Sequence, residues 1–372
     1  MSVYLHIPFC RSKCFYCGFY SVASDRLRDG YIQALCREIG IRKDYLSAPI
    51  QETLYFGGGT PSYLDRNELE KIVRELEKAY TFSARAERTI EMNPEDAGKE
   101  KMNAWKELGF NRLSIGVQSF DDSVLKRINR CHSAADALQA IEWGERAGFD
   151  NIGMDLIIGL PGQSNKQILL DLKTVSRLPL SHLSVYILSV DSNSVFEKLQ
   201  QKGKFKPDED DALAEKYLLV SDYLKDMGFE HYEISNFARN GKYAVHNTAY
   251  WQQKPYIGLG ASAHSYDGRS RQWNVASIKS YIESLDRGVL DFEREELSRE
   301  DLFNELIMTG LRTMWGIPIE KLEKEYAGFW ESVQPRLSSY LVGGYAELNA
   351  NTLKLTPRGW LISDRIFSDL FV

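Results

Sequence analysis

Over its first half the chain alternates short runs rich in β-branched and aromatic residues with longer stretches whose apolar positions recur at three- and four-residue intervals. The short runs, at 3–7, 53–56, 88–92, 112–116, 151–158 and 182–188, predict strands. The longer ones, at 28–46, 65–80, 99–108, 134–147, 164–178 and 209–227, predict helices. Six strand–helix units in succession imply a parallel sheet in an α/β fold. Eight would close a full (β/α)8 barrel, so six predict a partial (β/α)6 barrel of TIM type over residues 1–230. Residues 231–290, aromatic and with few long periodic stretches, are expected to connect and cover the barrel mouth. From 291 to 372 the pattern changes: helices at 299–314, 319–326 and 330–340, a hairpin-like pair at 345–348 and 352–355, and a last helix opened by Pro357. That order predicts a smaller α+β domain of winged-helix-like type.

Glycines and polar residues gather just after the predicted strands. Gly57-Gly58-Gly59-Thr60-Pro61 follows the second, Glu91-Met92-Asn93-Pro94 the third, Gly116-Val117-Gln118-Ser119-Phe120 the fourth, and Asp155 with Gly159-Leu160-Pro161-Gly162 closes the fifth. In a parallel α/β fold these all fall on the carboxyl-end rim, where ligands bind. Taken singly, the glycine run is also what a tight turn between strand and helix needs, and Glu91 and Asp155 could serve only to cap or pair at the rim.

The 372 residues are enough for a large domain with an appendage, and 43% hydrophobic with 26% charged residues describes a globular chain. The net charge of −6 gives no general attraction to phosphate backbones. The C-terminal part from 291 carries 14 acidic against 9 basic residues, so a DNA-reading wing is excluded on charge. The chain enters a strand almost at once, with no signal-peptide pattern and no apolar run of membrane-spanning length, so the cytoplasm is the expected compartment. Five cysteines, an odd number with three clustered, suit a reducing environment.

The cluster is Cys10-Arg11-Ser12-Lys13-Cys14-Phe15-Tyr16-Cys17, directly after the first strand. Structural zinc wants four ligands in paired half-sites, and no second pair exists; Cys36 sits in a helical stretch and Cys131 stands alone. Three thiolates on a four-iron cube leave one iron open to a small molecule. The C-x3-C-x2-C spacing is that of the radical S-adenosylmethionine (SAM) enzymes. The stretches Tyr4 to Cys10, Gly57 to Pro61, Gly116 to Phe120 and Asp155 to Pro161 together resemble the oxygen-independent coproporphyrinogen III oxidase family.

That resemblance implies a [4Fe-4S] cluster on Cys10, Cys14 and Cys17, and SAM held by Tyr4, Tyr16, Gly58, Gly59, Thr60, Glu91, Gln118, Arg130 and Asp155. It also implies cleavage of the sulfonium to a 5′-deoxyadenosyl radical, with the cofactors carrying the hard chemistry. Two departures stand out. The oxidases continue the cluster motif with a fourth cysteine where this chain has Phe19, and they carry an extension before the first strand. Both features, and His246-Asn247-Thr248-Ala249-Tyr250-Trp251, are similar to the family's sister group of heme chaperones. The similarity implies heme as a third cofactor and partner, bound near the barrel mouth or the C-terminal portion, with delivery through transient contact with membrane-bound respiratory acceptors. His246, an imidazole beside aromatic rings, is the candidate heme ligand, with His264 a weaker one; a hydrogen-bonded structural histidine is the plainer alternative. The rival is the oxidase activity itself, conversion of coproporphyrinogen III to protoporphyrinogen IX in porphyrin biosynthesis. A homodimer is left open.

Overall fold

The computed structural model describes residues 1–192 and 194–372. Strands β1 (Ser2–Ile7), β2 (Ile50–Gly58), β3 (Thr81–Met92), β4 (Arg112–Gln118), β5 (Ile152–Ile158) and β6 (His182–Ile187) pair in parallel, each with the next, as the alternation predicts. Helices α1 (Arg28–Ile41), α2 (Arg66–Ala79), α3 (Lys99–Glu107), α4 (Asp122–Arg127), α5 (Ala134–Arg146), α6 (Asn165–Val175), α7 (Val195–Gln201) and α8 (Asp210–Asp226) connect or follow them. Local chemistry fixes their starts. At α2 the Glu68 amide donates to Asp65 and the Asp65 amide to Glu68, at 2.9 and 2.8 Å, and Ser133 with Asp136 repeats this box at α5. Every residue of β4 is buried, as a strand covered on both faces requires.

Residues of the segment 231–290 are woven into the sheet at both ends of the parallel run. Strand β7 (Glu230–Glu233) pairs antiparallel with β8 (Asn236–Ala238), which itself adds antiparallel to β6. After α9 (Val245–Trp251), strand β9 (Tyr256–Leu259) pairs in parallel with β1, so the parallel run has seven strands. Strands β10 (His264–Tyr266), β11 (Ser270–Asn274) and β12 (Phe292–Glu296), with α10 (Ile278–Asp286) before the last, complete a sheet of twelve. Strands of three to five residues are too short to show alternation, which is why this part reads as irregular from sequence.

The C-terminal domain packs α11 (Arg299–Leu311), β13 (Ile317–Pro318), α12 (Ile319–Val342), β14 (Ala346–Asn349), β15 (Thr352–Leu355), α13 (Pro357–Trp360) and α14 (Ser363–Leu370) around its own core of Phe303, Ile307, Leu311, Val333, Leu353 and Ile366. Its three strands run β13-β15-β14. The two helices expected at 319–326 and 330–340 are one run broken at Tyr326, whose backbone leaves the helical region. Arg312 joins this domain to the barrel: its Nε donates to buried Glu233 at 2.7 Å, and its carbonyl accepts from the Ile234 amide at 3.2 Å. Among the described residues no helix is long and apolar enough to cross a membrane.

Candidate functional site

The cysteine loop is clamped from several sides. Val22 donates to the Pro8 carbonyl at 2.8 Å, and the Cys10 amide donates back to Val22 at 3.0 Å. Phe15 donates to Ile128 after α4 and accepts from Phe196 at the start of α7, at 3.1 and 3.0 Å, while Asn129 Nδ2 holds the Lys13 carbonyl at 2.9 Å. Phe15 and Tyr16 pack against an apolar cluster of Val124, Leu125, Ile128, Ile157 and Leu188. The aromatics between the cysteines are therefore anchors that set the loop on the rim.

Cys10, Cys14, Cys17 and Tyr16 line a cavity of about 350 Å³ at the carboxyl end of the parallel strands, together with Gly58, Gly59, Thr60, Glu91, Gln118, Arg130 and Asp155. Tyr4 and His246 are the expected site residues that do not line it. Tyr4 sits beside the glycine run, its hydroxyl 3.1 Å from His6 Nδ1 and its ring 6.1 Å from that of Tyr55. His246 lies deeper, near the start of β2, with Nδ1 2.7 Å from Thr53 Oγ1 and Nε2 2.8 Å from the Tyr250 hydroxyl. Both ring nitrogens are thus engaged, and burial lowers the imidazole's pKa to about 3, so the ring is neutral. His264 is exposed on β10, beside Trp273.

The residues present fit a cluster with a small polar ligand. A Cβ on Gly59 would lie 2.9 Å from the carbonyls of Ile7 and Phe9 and 3.0 Å from Cys10 Sγ, so only glycine lets the backbone come this close to the thiol. Gly58, at φ +110°, adopts a conformation side chains rarely take. Thr60 Oγ1 donates to Cys10 Sγ and Arg130 Nη1 to Cys14 Sγ, each at 3.4 Å, and the Thr60 bond favours the Cys10 thiolate. Burial opposes this: it pushes the Cys17 thiol up to about 11 and raises Cys10, so metal loading must displace protons here. Arg130 Nε is buried without a protein partner, a donor left for a ligand.

Two carboxylates face this cavity. Burial raises Glu91 to about 7, against the Tyr55 hydroxyl that donates to Oε1 at 2.6 Å and the Gly58 amide that donates to Oε2 at 3.2 Å. Asp155 is pushed up to about 6, also by burial, against Ser184, Arg112 and Arg130. Since the folded values exceed the ordinary ones, the folded state binds more protons than the unfolded chain, and the contribution of these groups to stability is lost as pH rises through 6 to 7. Glu91→Gln, which fixes a neutral group, is expected to be more stable relative to wild type at pH 7 than at pH 4.5, read as the difference in urea midpoints. An equal difference at both pH values would show that Glu91 does not titrate in this window.

Sequence reasoning missed three residues that build the site. Asn93 donates to Thr60 Oγ1 at 3.1 Å and accepts from Arg130 Nη2 at 2.8 Å, linking the glycine run to the arginine; its place after the third strand was visible, its role was not. Tyr55 and Arg112 lie on strands facing inward, where an aromatic or a single cation gives no sequence signal. Arg112 is 2% exposed, with Nε 3.8 Å from Glu87 Oε2.

The Radical SAM superfamily profile matches residues 4–175, and the HemN C-terminal domain profile matches 297–362. The chain is similar to the heme chaperone HemW of Bacillus subtilis, 34% identical over 98% of both chains, and to that of Mycobacterium tuberculosis, 31% identical over 99% of this chain and 94% of the other. It is also similar to the mitochondrial radical S-adenosyl methionine domain-containing protein 1 of Bos taurus, 32% identical over 98% of this chain and 82% of that one. Among solved structures, coproporphyrinogen III oxidase (HemN) from Escherichia coli superposes with a TM-score of 0.87 over 100% of this chain and 90% of its own, at 23% identity, a likeness of fold.

Proposed function

The chain belongs to the HemW family of heme chaperones within the radical SAM superfamily, and from that premise we propose that it binds heme in the cytoplasm and passes it to membrane-bound respiratory acceptors. The observation that carries the reading is the convergence of three thiols, two carboxylates and one arginine on a single cavity. Cys10, Cys14 and Cys17 would hold a [4Fe-4S] cluster, and Tyr16, Gly58, Gly59, Thr60, Glu91, Gln118, Arg130 and Asp155, with Tyr4 beside them, would hold SAM. When bound, such a cluster supplies one electron to the sulfonium of SAM. Glu91 and Asp155 would accept from an amine or ribose hydroxyls, and Arg130 would bond a carboxylate. Gln118, held at φ +70° at the end of β4, turns its amide toward the same space, and that strained backbone is tolerated where the chain is otherwise fixed by the sheet.

Phe19, which stands where the oxidases have a fourth cysteine, is 70% exposed and lines the cavity together with Tyr186 and Ile187. This apolar rim supports a flat tetrapyrrole carried rather than oxidised. The test is anaerobic loading with iron, sulfide and heme, followed by assay with coproporphyrinogen III. Heme should bind with a Soret band and coproporphyrinogen should stay unconverted. Clean formation of protoporphyrinogen would replace the chaperone reading with the oxidase one.

A further inference from the structure

We propose that α9 braces the SAM-binding carboxylate: His246 and Tyr250 are positioning residues that hold Tyr55, and through it Glu91, while Trp251 ties the brace to the C-terminal domain. The proposal rests on the reading of Glu91 as a SAM contact. The contacts form one chain from the cavity downward. Tyr55 donates to Glu91 at 2.6 Å and stacks on the His246 ring at 4.8 Å between centroids, 26° from parallel. His246 is fixed on its two sides by Thr53 and Tyr250, at 2.7 and 2.8 Å, and Tyr250 packs edge-on against Tyr256 at 4.5 Å.

The backbone of α9 is pinned to the same strand that carries Glu91. The amides of Val245 and His246 donate to the two oxygens of Glu87 on β3, at 3.1 and 3.0 Å. Glu87 and Glu91 are four residues apart on one strand, so their side chains share a face. Helix and carboxylate therefore move together or not at all.

At the other end of α9 the Arg312 guanidinium lies 4.5 Å over the Trp251 ring while its Nε donates to Glu233. Arg312 is the residue that caps α11, the first helix of the C-terminal domain. A shift of that helix, such as docking of a partner on the C-terminal domain would bring, reaches Glu91 through Trp251, Tyr250, His246 and Tyr55. The same geometry argues against iron ligation by His246, since a metal would have to displace Thr53 or Tyr250 from a ring that is 1% exposed.

Equilibrium dialysis of SAM against the full-length, anaerobically reconstituted protein tests this, with heme absorbance and the EPR signal of the reduced cluster in the presence of SAM followed in parallel. Glu91→Gln should weaken SAM binding by about 30-fold and Tyr55→Phe by about tenfold, the scale of one lost hydrogen bond to a charged group. Tyr250→Phe and Arg312→Met, both remote from the cavity, should each cost about threefold, alter the EPR line shape with SAM, and leave the heme spectrum unchanged. Joining Tyr55→Phe to Tyr250→Phe should add nothing beyond Tyr55→Phe alone, because both break the same chain. Wild-type SAM affinity in Tyr250→Phe, additive losses in the double variant, or loss of heme absorbance with SAM binding intact would overturn the brace. Unchanged affinity in Arg312→Met would overturn its link to the C-terminal domain. Wild-type affinity in Glu91→Gln would instead remove the SAM-contact reading itself, and the brace with it.

Discussion

Replacing Cys14 with alanine is expected to leave no more than about a tenth of the iron and acid-labile sulfide that wild-type protein takes up on anaerobic reconstitution, because two thiolates rarely hold a four-iron cube. The loop should survive the change. Its position is set by backbone bonds of Cys10, Phe15 and Val22 and by burial of Phe15 and Tyr16, none of which uses the Cys14 sulfur. What is lost is one corner of the donor set, together with the partner of Arg130 Nη1. Cys36→Ala serves as the control, since Cys36 lies in α1, outside the cavity, and should load like wild type. Full brown absorbance in Cys14→Ala would take Cys14 out of the ligand set.

The largest loss of stability is expected from Arg112→Met, on the order of 3–5 kcal/mol by urea denaturation at pH 7, the cost of breaking a buried ion pair and stranding its partner. Arg112 and Glu87 are 2% and 7% exposed, and Arg112 also favours the charged forms of Glu91 and Asp155. Without the guanidinium Glu87 and Glu91 lose a cation that sits near them, while Asp155 keeps Arg130. Adding Glu87→Gln should recover a large part of the loss, because the stranded charge is then gone. A cost below about 1 kcal/mol in the single variant would mean the pair is open to water, contrary to its burial.

The barrel was legible because its signals are redundant. Each of the six strands carries an apolar run and is followed by a helix, several of them with side-chain caps such as Asp65 or Ser133, so an error in one unit leaves the others standing. The seventh parallel strand, Tyr256–Leu259, escaped because four residues containing a glycine show neither length nor period. The cavity lining was legible for the same reason as the rim: Glu91, Gln118 and Asp155 lie at or beyond the midpoints of successive parallel strands. Tyr55, Arg112 and His246 were not, since their roles depend on which interior neighbours they meet across strands. His246 shows this most clearly. Its sequence surroundings suit a metal ligand, whereas its two nitrogens are spent on Thr53 and Tyr250.

The pairing of β9 with β1 has a consequence for biosynthesis. The amino-terminal strand, which carries the cysteine loop at its end, keeps one unpaired edge until residues 256–259 have been made. At about 5–20 residues per second, roughly 12–50 s separate the two strands on the ribosome. For that interval the nascent chain exposes a bare strand edge next to three thiols, and a nascent-chain binding factor acting before then would have most to cover at residues 2–17.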